Sequence, residues 1–133
     1  MNEFKFTAEE NSFIIEAEGK KLRVSFEEKN LNWKDAQEWC KENGGGDESI
    51  DNLRLLAKYR ESINKELEAL GKEILGGWVW SNERSYIAPE TTAFVVDLDY
   101  GSVYYLIQNF DVYVRAVSAF HFKDFRCLTF ASA

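Results

Sequence analysis

The sequence predicts an α+β protein in which two helices pack on a small mixed or antiparallel sheet. Short segments of alternating apolar and polar residues occur near both ends of the chain, and the middle has apolar residues at helical spacing. Its 133 residues, 45% hydrophobic and 15% aromatic, suffice for one sizeable core and are too few for two ordinary domains. We therefore expect a single domain over residues 1–133.

The first elements are strands. Residues 4–10 alternate weakly, which predicts an edge strand or a loose lead-in. Residues 13–17 and 22–26 alternate on either side of Gly19, which is the pattern of a β-hairpin with glycine in the turn. We expect this hairpin to start the sheet.

The first helix is predicted to begin at Trp33. Asn32 precedes it and can accept a hydrogen bond from a free main-chain N–H of the first turn. Trp33, Ala36 and Cys40 then lie on one helical face, and the glycines at 44–46 can end the helix. The face that carries Cys40 should point into the core.

A second helix of roughly 18 residues is predicted from Asp51 or Asn52 to Leu70, with Gly71 ending it. Its apolar stripe consists of Leu53, Leu56, Ile63, Leu67 and Leu70. The opposite side is charged, as on a solvated helix surface.

The pattern of residues 78–120 predicts short strands joined by tight connections. A turn is expected at Tyr100 and Gly101, with a strand before it at 93–98. Pro89 marks a loop, because proline has no N–H for a β-ladder. A last strand is expected at 113–117.

Three tryptophans are predicted to anchor the core. They are Trp33, Trp78 and Trp80.

The same region carries aromatic and short polar side chains that a core does not require. Tyrosine offers a large contact area at a small cost in rotamer entropy, and Asn, Asp and Gln offer adaptable hydrogen bonds. We therefore predict a binding surface here, called the 82–113 surface. Its residues are Asn82, Arg84, Tyr86, Asp97, Asp99, Tyr104, Gln108, Asn109, Asp111 and Tyr113.

Charge and hydropathy narrow the range of partners. The formal net charge of −7 and the pI near 4.8 argue against nucleic acid, which is held through clustered Lys and Arg. Membrane insertion is not expected, since there is no apolar run of about 18 residues. The N-terminus lacks the pattern of a signal peptide, so we expect a soluble chain that starts in the cytoplasm.

Cysteine and histidine are scarce. Cys40 and Cys127, with His121, are too few for an ordinary zinc site, so no metal and no cofactor are expected. Two reduced thiols and a disulfide bridge both remain open. His121 has no nucleophile at a recognisable spacing, and Asp97 and Asp99 have no evident pocket, so catalysis is not predicted.

The order of motifs carries a resemblance. LNWKDAQEWC at 31–40, the following glycines, a leucine-rich helix, Trp80-Ser81 and YVRAV at 113–117 resemble the bacterial C-type-lectin-like family. Within it they are similar to the subfamily typified by the C-terminal domain of Lcl-type adhesins. The resemblance covers about residues 20–120 and leaves 121–133 as an extra tail. The segment at 46–56 departs from the family's usual pattern, so the second helix could enter at another angle.

The resemblance implies a C-type lectin-like fold with a long irregular stretch displayed on one side. Many members of the wider group are phage or bacterial surface ligand binders, and some are variable proteins of diversity-generating retroelements. Formylglycine-generating enzymes resemble this chain only in architecture. Calcium-dependent sugar binding is not expected, because the acidic and amide triplets that it needs are absent around Pro89.

Arg115 lies between Val114 and Ala116 and should face away from both in a strand. Simple exposure is one alternative. The resemblance implies the other, an inward-facing arginine that pairs with an acid or with main-chain carbonyls.

Two functional hypotheses follow. The first is a non-enzymatic module that binds a protein or glycan ligand without metal through the 82–113 surface. The second is a structural or assembly subunit of a phage or mobile element. Exposure distinguishes them, because an open aromatic patch favours binding and internal aromatics favour the structural alternative.

Overall fold

The structure, a computed structural model, describes residues 3–120 and confirms the α+β class. Within this range the chain forms, in order, β1 Phe4–Ala8, β2 Ser12–Ala17, β3 Lys20–Ser25, β4 Lys29–Leu31, α1 Trp33–Glu42, α2 Ile50–Lys58, α3 Arg60–Ala69, β5 Trp78–Arg84, β6 Thr92–Asp97, β7 Val103–Ile107, β8 Val112–Val114 and β9 Val117–Ala119. The predicted tail at 121–133 lies outside the described residues, as do His121 and Cys127.

These strands form two sheets, where one was predicted. The first has the order β1-β2-β3-β9 and is antiparallel throughout. The second has the order β4-β8-β5-β6-β7, with one parallel pairing, between β5 and β8. The segment predicted as a single strand at 113–117 is divided: β8 ends at Val114 and β9 begins at Val117, so the chain crosses between sheets at Arg115.

The N-terminal hairpin is confirmed. Ala17 pairs with Lys20 across a two-residue turn in which Glu18 and Gly19 have φ of 53° and 78°. Positive φ at both central residues is the requirement of a type I′ turn, whose twist matches that of the strands. Strand β1 pairs with β2 along one edge of the sheet, as expected for an edge strand.

Helix α1 begins where the sequence predicts. The Asn32 side chain accepts a hydrogen bond from the Asp35 N–H at 2.9 Å, which caps the helix. Trp33, Ala36 and Cys40 are buried on its inner face.

The prediction of one long second helix is wrong, because the helix is broken at Tyr59 (φ −103°, ψ 16°). The Tyr59 ring stacks on Phe4 at 5.4 Å between centroids, and its hydroxyl donates to Glu18 at 2.9 Å. Because Leu56 and Ile63 are seven residues apart, the apolar pattern suits a continuous helix and does not reveal the break. Leu70, predicted in the buried stripe, is exposed.

Two hydrophobic clusters lie on opposite faces of the second sheet. One joins α2, α3 and the first sheet to Val79 and Val96, and we call this side the α2 face. The other joins α1 to Trp80, Val95 and Val114, and we call this side the α1 face.

Of the three predicted tryptophan anchors, two are confirmed. Trp80 is completely buried and Trp33 nearly so, and both indole N–H groups donate to main-chain carbonyls. Trp78 is 41% exposed, so its assignment to the core is wrong. It shares the face of Trp80 but stacks on Tyr104 at the sheet surface instead of lying under α1.

Candidate binding surface

Exposed large hydrophobic side chains are concentrated in one part of the chain. Among the described residues, all of them except Leu70 and Ile74 lie between positions 78 and 113. They are Trp78, Tyr86, Ile87, Tyr100, Tyr104, Tyr105, Ile107, Phe110 and Tyr113. Within the described chain, most exposed large hydrophobic side chains therefore lie in the region predicted as a binding surface.

The exposed aromatic side chains on the α1 face are a pair, Trp78 and Tyr104. Tyr104 pairs with the buried Val95 of β6, and successive strand residues alternate between faces. Its ring stacks on Trp78, with centroids 5.2 Å apart. Trp78 and Tyr104 therefore lie on the same face of the sheet as the buried Trp80, but at the solvent-exposed part of that face.

The α2 face carries a longer row. Phe94 of β6 pairs directly with Tyr105 of β7, and Ile107 follows two residues later on the same face. The Tyr86 ring meets Phe94 edge-on at 5.5 Å, and Tyr86 is 88% exposed. Tyr86 and Tyr104 therefore lie on opposite faces of the sheet.

Three of the predicted binding residues hold main chain in place. The Asn82 side chain donates to the Gly46 carbonyl at 3.0 Å. Arg84 donates to the Pro89 carbonyl at 2.9 Å and lies over the Trp33 ring. Gln108 donates to the carbonyls of Pro89 and Thr92, so it clamps the loop at 85–91 onto the sheet.

Asp97 and Asp99 shape the turn that precedes β7. Asp97 accepts a hydrogen bond from the Asp99 N–H at 2.9 Å. The Asp99 carboxylate accepts from the Gly77 N–H at 3.3 Å and lies 4.0 Å from Arg60 Nε. Both carboxylates therefore have roles in the local fold.

The other predicted residues are displayed. Asn109 and Asp111 are exposed in the connection from β7 to β8. Tyr113 is exposed in β8 on the α2 face, because it pairs with Val79 and its neighbours Val112 and Val114 belong to the α1 cluster. The ten predicted residues are thus split between two faces and the loops at their ends.

The ten predicted residues omit Tyr105 and Ile107 of β7, which are 49% and 52% exposed. The signal for them is the sequence VYYLI in β7, which is apolar at both alternating positions. A half-buried strand normally alternates, so a strand apolar on both sides is either buried on both or displays apolar area.

The buried charged groups lie away from this surface. The inward-facing position predicted for Arg115 is confirmed: it is 2% exposed and donates to the carbonyls of Ser25, Phe26, Glu73 and Ile74. Its Nη2 also lies 3.5 Å from Glu28. It therefore ties the sheet crossover to the end of β3 and to the segment before β5.

Glu48 is the second buried charge. One carboxylate oxygen accepts from the N–H groups of Gly46 and Val117, both at 2.8 Å. Desolvation by burial raises the pKa of Glu48 and, nearby, that of the Cys40 thiol. Cys40 is buried and forms no disulfide within the described chain, and its thiol donates to the Arg115 carbonyl at 3.7 Å.

Two features are absent from residues 3–120. No group of three or more His, Cys, Asp or Glu side chains there could hold a metal ion. No helix there is long and apolar enough to cross a membrane.

Comparison with protein-family models, with characterised proteins and with solved structures finds no match to this chain.

Proposed function

We propose that this protein is a non-enzymatic module with a C-type lectin-like fold that binds a protein partner through the 82–113 surface without a metal ion. The observation that carries the proposal is that, among the described residues, every exposed aromatic side chain lies between positions 78 and 113. Scattered exposed apolar residues need no explanation, whereas a contiguous row such as Tyr86, Phe94, Tyr105 and Ile107 on the α2 face is typical of an interaction site. The order of hairpin, helices and later strands is compatible with the proposed fold.

A protein partner fits this surface better than a glycan does. Sugar hydroxyls are bound by planar polar side chains that are free to hydrogen-bond beside an aromatic ring. Here Asn82, Arg84 and Gln108 already donate to main-chain carbonyls, which leaves the aromatic component available. Tyrosine and tryptophan are the side chains that contribute most at protein–protein contacts.

Two double variants test the proposal and identify the face that binds. Trp78→Ser with Tyr104→Ser removes the pair on the α1 face, and Tyr86→Ser with Tyr113→Ser removes aromatic area from the α2 face. Leu70→Ser with Ile74→Ser is the matched control, because it removes similarly exposed apolar groups outside the region.

The probes are a phage-displayed random peptide library and a glycan array, both used with and without EDTA. We expect selected peptides whose affinity is unchanged by EDTA, is unchanged in the control and falls at least tenfold in one double variant. Peptides that bind all variants equally would contradict the proposed surface. Binding to the glycan array that depends on the same tyrosines would replace the protein partner with a sugar.

A further inference from the structure

Within residues 3–120 each of the two sheets has two edges, and three of these four edges are protected. Strand β1 carries Lys5, and β4 is only three residues long and carries Lys29. A charged side chain or a short strand at a sheet edge hinders pairing with another chain. The edge at β9 is covered by the loop before α2, which supplies hydrogen bonds to Val117 and Ala119.

Among the residues that the structure describes, none protects strand β7 in these ways. It is five residues long, VYYLI, without charge, proline or bulge, and it ends the order of the second sheet. Long, uncharged apolar edges of this kind are rare in monomers because they pair readily with other strands.

The main-chain groups that point outward from β7 can be identified. The Asp97 N–H donates to the Ser102 carbonyl and the Gln108 N–H donates to the Thr91 carbonyl. Inward hydrogen bonds alternate along an antiparallel strand, so Tyr104 and Leu106 also bond inward to β6. Val103, Tyr105 and Ile107 therefore present their N–H and C=O groups to the outside. From the described residues this edge receives one bond, from the Phe110 N–H to the Ile107 carbonyl.

We propose that the partner of this edge is the β7 strand of a second copy, paired antiparallel about a two-fold axis at Tyr105. In that register Tyr105 meets its own counterpart and Val103 meets Ile107, so the outward N–H and C=O groups are matched. No like charges face each other within the strand, despite the chain's net charge of −7.

The charges at the two ends of β7 favour this antiparallel pairing. At the start of the strand, Arg54 donates to the Gly101 carbonyl and Arg60 lies near Asp99. At its end, Asp111 and Glu90 are exposed and neither takes part in an ion pair within the described chain. Arg60 is offset by Asp99, whereas Arg54 forms no ion pair within the described chain. The two-fold axis therefore places the unpaired Arg54 of each copy at the end where Asp111 and Glu90 of the other lie. The pairing stands independently of the ligand proposed above.

Cysteine crosslinking tests both the pairing and its register. In a full-length Cys127→Ser background, Tyr105→Cys should form a disulfide-linked dimer under mild oxidation, because paired Cα atoms lie about 5.5 Å apart. Ile107→Cys is the matched control, with 52% exposure against 49% for Tyr105. Its two copies would lie about 13 Å apart along the strands, too far for a bridge.

Association without crosslinking is the second measurement. Sedimentation of the wild-type chain should show a concentration-dependent dimer, which Tyr105→Lys weakens at least tenfold by placing two like charges face to face. Tyr113→Lys, at a similarly exposed position in β8, should leave the dimer unchanged. Equal crosslinking at positions 105 and 107, or a monomer at every concentration, would overturn the proposal. Loss of the dimer in both lysine variants would also count against it.

Discussion

Strands β9 and β7 both lie at a sheet edge, where one side of the strand has main-chain N–H and C=O groups without a neighbouring strand. The two edges differ in whether those groups are covered. On β9, the Val117 N–H donates to Glu48, the Val117 carbonyl accepts from the Asp47 N–H, and the Ala119 N–H donates to the Asp47 carboxylate at 2.8 Å. On β7, the corresponding groups of Val103 and Tyr105 receive nothing from the described chain. One edge is closed by two acidic residues of a loop, and the other is left open beside exposed tyrosines.

The comparison shows that this chain can cover a sheet edge with loop carboxylates, because it does so at β9. Closing β9 requires a buried carboxylate, which carries a desolvation cost, as the raised pKa of Glu48 indicates. The chain accepts that cost at β9, while β7 keeps free main-chain groups and apolar side chains. A free edge with apolar flanks is the arrangement through which strands are added from outside.

The largest effect on stability is expected at the buried Trp80, and the exposed Trp78 of the same strand provides the comparison. Trp80→Ala should lower the free energy of unfolding by about 3 to 5 kcal/mol, because it empties a fully buried aromatic site. Trp78→Ala should cost about 1 kcal/mol, the scale of the aromatic pair that it breaks. Urea unfolding of both variants measures the difference. Equal losses would mean that the surface around Trp78 belongs to the core.

The next effect concerns the buried arginine. Arg115→Gln removes the guanidinium that donates to four main-chain carbonyls and lies beside Glu28. It should lower the free energy of unfolding by about 3 kcal/mol, well above the contribution of an exposed ion pair. Arg23→Gln is a suitable control, because Arg23 pairs with Glu9 at the surface. A stability loss no larger than that of the control would show that the crossover does not depend on Arg115.

Opening the closed edge should have a smaller effect. Glu48→Ala leaves the Gly46 and Val117 N–H groups without their acceptor and should cost about 1 to 3 kcal/mol, the penalty of unsatisfied buried donors. Unchanged stability on thermal unfolding would show that water or a neighbouring group replaces the carboxylate without loss.

The pH dependence of Glu48 gives an independent check. Burial raises its pKa above the ordinary value of 4.5, so its contribution to stability is full below about pH 4.5 and is lost as pH rises through the folded-state pKa. Glu48→Gln cannot ionise. The stability of wild type relative to this variant should therefore fall between about pH 4.5 and the folded-state pKa, and a difference that grows with pH would contradict the assignment.

The smallest effect on stability is expected at the open edge. Tyr105→Lys should change the free energy of unfolding by no more than about 0.5 kcal/mol, since its side chain is half exposed on an outer strand. Unfolding at low protein concentration, where only monomer is present, measures this. A loss of several kcal/mol would mean that Tyr105 packs against its own chain.

Local signals predicted much of this architecture. The hairpin at Gly19 and the start of α1 depend on turn and capping chemistry between neighbouring residues, which sequence displays directly. The break at Tyr59 depends on contacts with Phe4 and Glu18, more than forty residues away, and no local pattern encodes it. The division of the strand predicted at 113–117 likewise follows from the partners that each half finds in different sheets.

The exposed apolar residues of the described chain lie mostly in the region predicted as a contact surface, whereas several of the polar residues predicted to form it have other roles. Short polar residues between 82 and 113 indicated a contact surface, but Asn82, Arg84 and Gln108 hold loops in place. Whether a polar side chain is free depends on nearby carbonyls, which a one-dimensional pattern does not show. The sequence also did not predict that β7 ends its sheet, because hydrophobicity alone does not reveal which strand is outermost.

The pairing of β3 with β9 has a kinetic consequence. Leu22, early in the chain, lies opposite Ala119, close to the end of the described residues. During synthesis the hairpin of β2 and β3 can form early, whereas the first sheet gains its fourth strand only after almost the entire described chain has emerged. Such long-range closure slows folding, and until β9 arrives β3 presents its own open edge to other chains. The nascent protein therefore passes through a stage in which β3 and β7 both have unprotected edges, and folding of the described residues covers only the edge of β3.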